Sequence, residues 1–457
     1  MRSTQTSRGR SGATTRGAAV DHQRPAGAPP DAAEAPAASR RDLRTLLVDG
    51  RFRTLAVAHV TSDVGDWLAF MALFSISTFE WNVDVLGISV LGVAYMLPFA
   101  VVAPWAGVWV DRWDLRRVLV VGDLGRAALV LAMAFSTRFA PLAALLFLHQ
   151  AVACFFNPAQ HAAIPRLVRR EHLLAANALN SQASQVTKIL GPGVAGILVA
   201  ALGARGCFFV DAATFAVSAL LLATLPGMRP AQRTAAATGS FRDDFRSGAA
   251  LLWRRRRLRA AVFMLACGLW GLGAFIAILP VWARDQLHAG ARLMGLLVSG
   301  LGVGAVAGAL GIVRSGNGRD RLLLIGTGTS LAAIAIAAVG LAASVVWGLV
   351  ATAFLGGATA VLIVPAHALF QEEVPAGALA RVLSLAFAAL AVSQALGMAV
   401  AGIVSRAIAP NAMFLCVAGL LFASGVAMLL WGRSLLCAAA APGARVSLPP
   451  GPGARRR

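Results

Sequence analysis

Twelve stretches of roughly twenty apolar residues recur along this 457-residue chain, and they decide what it can fold into. A helix rises about 1.5 Å per residue, so about 20 apolar residues cross the roughly 30 Å of hydrocarbon in a bilayer. The runs lie near 54–78, 86–110, 117–136, 141–164, 183–203, 206–226, 260–283, 291–313, 321–343, 345–369, 380–405 and 411–432. In lipid every backbone N–H and C=O must find its partner inside the protein, so runs of this length are helices. The chain reads as an all-α integral membrane protein with twelve transmembrane helices. Its composition agrees. Only 13% of residues are charged and 58% are hydrophobic, whereas a soluble domain carries about 25% charged residues.

The formal charge is +21, almost all of it arginine, with Lys188 the only lysine. Such a charge can signal nucleic-acid binding. Here the arginines sit in tails and loops between apolar runs, a placement that suits the anionic inner leaflet and excludes a nucleic-acid partner. With the N-terminus inside, the cytoplasmic loops hold Arg112, Arg116, Arg117, Arg166, Arg169 and Arg170, then Arg254 to Arg257 and Arg259, then Arg314, Arg319 and Arg321. The outer loops hold only Arg138, Arg205, Arg284, Arg292 and Arg406. The expected location is the bacterial cell membrane, multi-pass, with both termini cytoplasmic. Residues 1–50 and 434–457 read as disordered cytoplasmic tails. Residues 227–259, with ALLWRRRRLR, form a basic amphipathic linker on the inner leaflet. Cys154, Cys207, Cys267, Cys416 and Cys437 are scattered, without metal or disulfide spacing, and read as small buried apolar groups.

The linker splits the runs six and six, into bundles at 51–226 and 260–433, and the halves echo each other. Leu190-Gly191 with VAGIL at 194–198 is answered by Leu396-Gly397 with VAGIV at 400–404. Pro158-Ala159 is answered by Pro365-Ala366, and Ala106-Gly107 by Ala307-Gly308. Two related six-helix halves are the mark of a carrier whose substrate site lies between them near the midplane.

Ionisable groups inside the runs are costly in lipid and default to function. Asp63 and Asp66 are three apart in the first run and 10 and 13 residues past Arg53, roughly 15–20 Å deep. They are the candidates for carrying a proton or attracting a cationic substrate, against the alternative of acids bonded for packing alone. Asp123 and Arg126, in the third run, pair with each other or with the charged turn before them. Lys188 closes a polar stripe of Asn177, Ser181 and Ser184 or Gln185. It either neutralises an acid, faces an anionic substrate, or snorkels to the interface. His149, His161 and His367 read as helix-packing residues. No GxxxxGK[ST], GxSxG or HExxH pattern occurs and no metal-ligand cluster is seen, so neither an ATP-driven pump nor an enzyme is expected.

Residues 107–117, GVWVDRWDLRR, make a short charged turn between the second and third runs. With twelve runs in two halves, the turn resembles motif A of the major facilitator superfamily. FFNPAQHAAIPRLVRREHLLAANALNSQ (155–182), ILGPGVAGIL (189–198), FFVDAATFAVSALL (208–221) and ALFQEEVPAGALARVLSL (368–385) resemble its twelve-span drug:proton antiporter branch, which includes macrolide-efflux and enterobactin-exporter-like proteins. The resemblance covers about residues 50–433 and implies two pseudo-symmetric six-helix bundles in the major facilitator fold. It implies that the turn is a cytoplasmic gate. Gly107 would allow close helix contact, Asp111 would face a helix N-terminus of the other half, and Arg112, Arg116 and Arg117 would pair across the turn and with lipid headgroups. Asp123 and Arg126 would extend this latch. Leu115 departs from the pattern, standing where many members carry a base. Gly191, Pro192 and Gly196 resemble the kinked motif C of exporters, and Asp211, near the outer end of the sixth run, matches a branch position and is expected to serve as a helix contact. The expected protein is a monomeric carrier that uses a proton gradient and no cofactor to export a small organic, drug-like compound. Export of a siderophore or secondary metabolite is the alternative, followed by solute uptake by symport and by a non-transporting receptor or scaffold.

Overall fold

The structure is a computed structural model and describes residues 46, 49–110, 112–228, 241–314, 320–374 and 376–440. Among these residues there are helices and turns and no strands. Span 1 is Gly50–Ser75, prolonged by a π-helical turn, Ile76–Glu80. Span 2 is Val85–Val101 continued by Ala103–Val110, span 3 Leu115–Ala134 and span 4 Phe139–Leu167. Spans 5 and 6 share one helical stretch, Leu173–Ala223. It is broken only at Gly203, whose φ of 73° is a conformation open to glycine. A linker helix, Phe241–Arg254, precedes span 7, Arg256–Leu287. Spans 8 to 12 are Ala291–Arg314, Arg321–Gly340, Val345–Glu373, Ala376–Val404 and Pro410–Ala440. The linker expected at 227–259 is therefore partly helical, and span 7 begins inside it. The tails at 1–45 and 441–457 lie outside the described residues.

Eight helices are long and apolar enough to cross a membrane by length and composition alone, one of them holding spans 5 and 6. The remaining spans miss that mark for reasons visible in their residues. Span 1 carries Arg51, Arg53, Asp63 and Asp66, and span 3 carries Arg116, Arg117, Asp123 and Arg126. Span 2 is interrupted at Val102, just before Pro104. Of these charges Asp63, Asp66, Asp123 and Arg126 find partners inside the protein, as described below, while Arg51, Arg53 and Arg117 are exposed at the span ends.

Short polar residues fix where the helices start. Asp49, Asp84, Asp114, Asp320 and Ser344 accept hydrogen bonds from backbone N–H groups in the first turn of spans 1, 2, 3, 9 and 10. These caps satisfy donors that have no partner within the helix. Asp114 and Asp320 hold corresponding places in the two halves.

The twofold echo of the sequence reappears as packing. Span 1 packs on spans 5 and 6, span 3 on spans 4 and 6, and span 2 on span 4. In the second half span 7 packs on spans 11 and 12, span 9 on spans 10 and 12, and span 8 on span 10. Gly191 of span 5 lies against Trp67 of span 1, and Gly397 of span 11 lies against the backbone of Trp270 of span 7. A Cβ at either glycine would overlap its neighbour, so the repeated LG reads in three dimensions as a repeated glycine-on-tryptophan contact.

The halves meet chiefly through span 5 on span 8 and span 2 on span 11. A Cβ on Gly196 would stand 2.8 Å from the Ala291 carbonyl oxygen and 2.9 Å from the Gly295 Cα. A Cβ on Gly302 would stand 2.8 Å from the Ile189 Cα, and one on Gly402 2.6 Å from the Ser89 Cβ. All three contacts lie between the middle of the spans and the end that carries Arg284. There the Arg284 guanidinium donates to the backbone oxygens of Thr78 at 3.0 Å and Val83 at 3.3 Å, tying span 7 to the turn between spans 1 and 2. The molecule is closed at the Arg284 end.

Candidate functional site

Three residues along a helix turn a side chain by about 300°, so Asp63 and Asp66 share one side of span 1 but point to different neighbours. Asp63 faces span 5. Its Oδ2 accepts from Ser184 Oγ at 3.2 Å and Thr187 Oγ1 at 3.3 Å, with His59 Nε2 at 3.5 Å. His59 Nε2 is also 3.1 Å from Ser184 Oγ. The Ser184 of the polar stripe is thus turned to span 1. Asn177, Ser181 and Lys188 are exposed, and the side chain of Gln185 lies outside the described residues.

Asp66 faces the interior of the first half. Its Oδ2 is 3.5 Å from Arg126 Nη1 and its Oδ1 is 3.9 Å from His149 Nε2. Arg126 is 3% exposed and bonds directly to Asp123, which is fully buried and also accepts from Ser218 Oγ of span 6. The guanidinium is sandwiched between the rings of Phe156 and Phe215, with Cζ 4.2 and 4.4 Å from their centroids. A weakly hydrated planar cation suits such a slot, which offers aromatic faces above and below and carboxylates at its edge. Asp123 and Arg126 were expected either to pair with each other or to extend the charged turn. They pair, and their further bonds run to spans 1 and 6, making them part of the Asp66 cluster.

Asp66 keeps 38% of its side chain exposed. It opens onto a cavity lined by Phe70, Tyr95, Leu146, His149 and Gln150. The cavity is about 20 Å³, room for about one water molecule. A carboxylate joined to a buried cation on one side and to a water-sized space on the other can exchange a proton without leaving the protein. His149, expected to be a packing residue, lines this cavity with its Nε2 buried and unbonded. His59, Thr187, Ser218 and the two phenylalanines carried no sequence signal, because their roles depend on which helix faces meet.

The charged turn lies at the opposite end from Arg284. Asp111 lies outside the described residues, and Gly107 falls in the second segment of span 2, Ala103–Val110. Arg112 and Arg117 are exposed and Arg116 is half-buried. Arg116 and Arg117 border an open notch of about 490 Å³ with Asp114, Val120 and Gly227. Among the described residues, no side chain of these three arginines bonds to the second half. Asp114 caps span 3 through the Arg117 N–H at 3.1 Å.

In span 5 the torsions stay helical through Pro192. Proline has no N–H to give the carbonyl four residues back, so the Lys188 oxygen loses its helical donor. That oxygen faces Gly302 of span 8, and the Pro192 oxygen faces Gly295. Gly191, Pro192 and Gly196 therefore form the face of span 5 that touches span 1 on one side and the other half on the other.

A family model described as Major Facilitator Superfamily matches residues 55–322. The chain is similar to the uncharacterized MFS-type transporter YfiS of Bacillus subtilis (strain 168), 26% identical over 392 residues, covering 82% of this chain and 92% of that protein. It is similar to macrolide efflux protein A of Streptococcus pyogenes, 22% identical over 377 residues, covering 80% and 92%. It is similar to multidrug efflux pump Tap of Mycolicibacterium fortuitum, 27% identical over 277 residues, covering 57% and 66%. Among solved structures it resembles the nucleoside transporter NupG with a TM-score of 0.69 at 14% identity, covering 83% of this chain and 99% of that one. A POT family transporter in complex with a thioalcohol conjugated peptide gives a TM-score of 0.67 at 14% identity, covering 86% and 99%.

Proposed function

This chain belongs to the Major Facilitator Superfamily, and from that premise we propose that it exports a small organic compound across the bacterial cell membrane in exchange for protons. It is a multi-pass membrane transporter and not an enzyme. Relatives named for macrolide and multidrug efflux support export as the direction and a drug-like molecule as the cargo. The arginine-rich loops support a cytoplasmic position for the Arg116 end.

The observation that carries the coupling is the setting of Asp66, half open to a water-sized cavity and 3.5 Å from a buried arginine. When Asp66 is ionised, Arg126 serves two carboxylates. When Asp66 takes a proton, Arg126 rests on Asp123 alone, and the tie between spans 1 and 3 loosens. A cationic cargo competes with the proton for the same carboxylate, so one drives out the other. The halves rock against each other along the seam of spans 2, 5, 8 and 11. The contacts of Arg284 with Thr78 and Val83 support a state in which the halves meet at the end opposite the Arg116 turn. In the opposite state the turn is the closed gate. The space at Asp66 is far below the roughly 300–1,000 Å³ of a small-molecule site, so cargo enters only as the halves part.

The test is accumulation of macrolides and cationic dyes in an efflux-deficient bacterium, with and without the protein and with a protonophore. Export predicts lower accumulation that the protonophore abolishes and that Asp66→Asn does not support. Unchanged accumulation across the panel would discard drug export in favour of a narrow metabolite or siderophore cargo. Accumulation lowered equally by Asp66→Asn would discard the coupling role.

A further inference from the structure

We propose that Asp211 of span 6 is a second proton-carrying group of the transporter, acting with Asp66; this rests on the proton-coupled reading above. Asp211 is fully buried. Its Oδ1 accepts from Thr214 Oγ1 at 3.2 Å, and its Oδ2 has no partner among the described residues. No lysine, arginine or histidine nitrogen of the described residues forms an ion pair with it. The carboxyl presses on span 1 at Gly65, the residue before Asp66, where a Cβ would overlap both Asp211 Oδ1 and Thr214 Oγ1.

The charged and titratable groups around it can be named helix by helix. Span 1 brings Asp66, with Asp63 and His59 a turn or two back. Span 3 brings Asp123 and Arg126, and both reach Asp211 electrostatically. Span 4 brings His149, whose ring lies 5.6 Å from that of Phe215, one turn along from Asp211. Span 6 itself contributes Cys207 and Thr214. Against three carboxyls in this core stands one bonded guanidinium, and it is taken by Asp123 and Asp66. A third ionised carboxylate here would be buried without a cation, a state that proteins avoid by taking up a proton. Asp211 is therefore neutral in the conformation seen. A proton on Oδ2 has no acceptor among the described residues, so the acid contributes less to packing than an apolar side chain of the same size would. What an acid offers at this place, and an apolar residue does not, is a proton that leaves when water or Arg126 reaches Oδ2.

The charge balance makes this measurable. If Asp66 and Asp211 each carry a proton inward while one monovalent cation goes out, one net positive charge enters per cycle. With Asp66 alone the exchange is neutral. The experiment uses full-length protein in liposomes, ethidium as the cargo, and an imposed membrane potential at fixed pH gradient. The wild type should transport faster when the potential favours inward positive charge. Asp211→Asn should keep ethidium exchange but lose that dependence, while Asp66→Asn should lose proton-driven transport altogether. A wild type insensitive to potential overturns the proposal while leaving proton-coupled export standing. So does an Asp211→Asn variant that stays sensitive. Loss of proton dependence in the wild type itself would overturn both. As a readout that needs no transport, the infrared band of protonated carboxyls at neutral pH should lose the intensity of one group in Asp211→Asn. Its persistence at full strength would show that Asp211 is ionised and end the proposal.

Discussion

Arg284 donates to the carbonyl oxygen of Thr78 across 3.0 Å, and the two residues belong to opposite halves of the molecule. With the second bond to Val83, this is a charge-assisted contact that must break whenever that end opens. Hydrogen bonds to charged groups are worth about 1.5–3 kcal/mol each. Arg284→Ala should therefore favour the open form by a factor of ten or more, since about 1.4 kcal/mol is tenfold. Spin labels at Glu80 and Gln286, both exposed, should report a longer separation in the variant. An unchanged distance distribution would mean that the packing of spans 2, 5, 8 and 11 holds this end by itself.

Arg126 offers the opposite case, a cation that cannot be removed cheaply. Arg126→Leu leaves Asp123 buried with only Ser218 as a partner. Stranding one member of a buried pair costs about 3–5 kcal/mol, whereas replacing both with apolar residues can be neutral. The single variant should melt well below the wild type in detergent. The double variant Arg126→Leu with Asp123→Leu should recover most of that loss and still fail to export. Equal melting temperatures for the single and double variants would refute the pairing.

Arg257 makes a superficially similar contact, 2.7 Å from Asp320 and 3.4 Å from Glu373, and joins the starts of spans 7 and 9 to the end of span 10. Its side chain is 43% exposed. Exposed pairs contribute about 0.2–1 kcal/mol and are screened by salt. Arg257→Ala should lower stability by about 1 kcal/mol or less, with the difference shrinking at high salt. Thermal melts at two ionic strengths would check both parts.

Gly196 and Gly304 are both crowded, but in different directions. Gly196 meets Ala291 and Gly295 of the other half, while Gly304 meets the Ala353 carbonyl within its own half. Overpacking costs about 1–3 kcal/mol. In Gly196→Val the strain is relieved by parting the halves, so the Glu80–Gln286 label distance should lengthen. In Gly304→Val parting the halves relieves nothing, so melting should drop with that distance unchanged.

The architecture was legible because lipid imposes one rule along the whole chain: apolar runs of fixed length. The repeated LG, PA and AG pairs then set one half against the other. Asp63 and Asp66 stood out for the same reason, as acids where acids are costly. What could not be read was which helix each acid faces. Arg126 is 60 residues from Asp66, and its slot is built by Phe156 and Phe215 from two further helices. Nothing in the local pattern of GDLGRAAL distinguishes a guanidinium turned to the gate from one turned to the core. Asp211 was equally opaque, since its isolation depends on Gly65 admitting it against span 1. The boundary expected between 203 and 206 falls at Gly203, and one glycine there does the work of a longer loop.

Span 8 meets span 5 through Gly295 and Gly302 on one side and span 10 through Gly304 and Gly308 on another. Most contacts between helices are like gears, with ridges of side chains seated in grooves so that turning one helix means unmeshing the other. Where glycine faces backbone there are no teeth. Span 8 is held close on both sides without being geared to either, as a polished shaft is held in its bearing, and a leucine at one of these glycines would be grit in it.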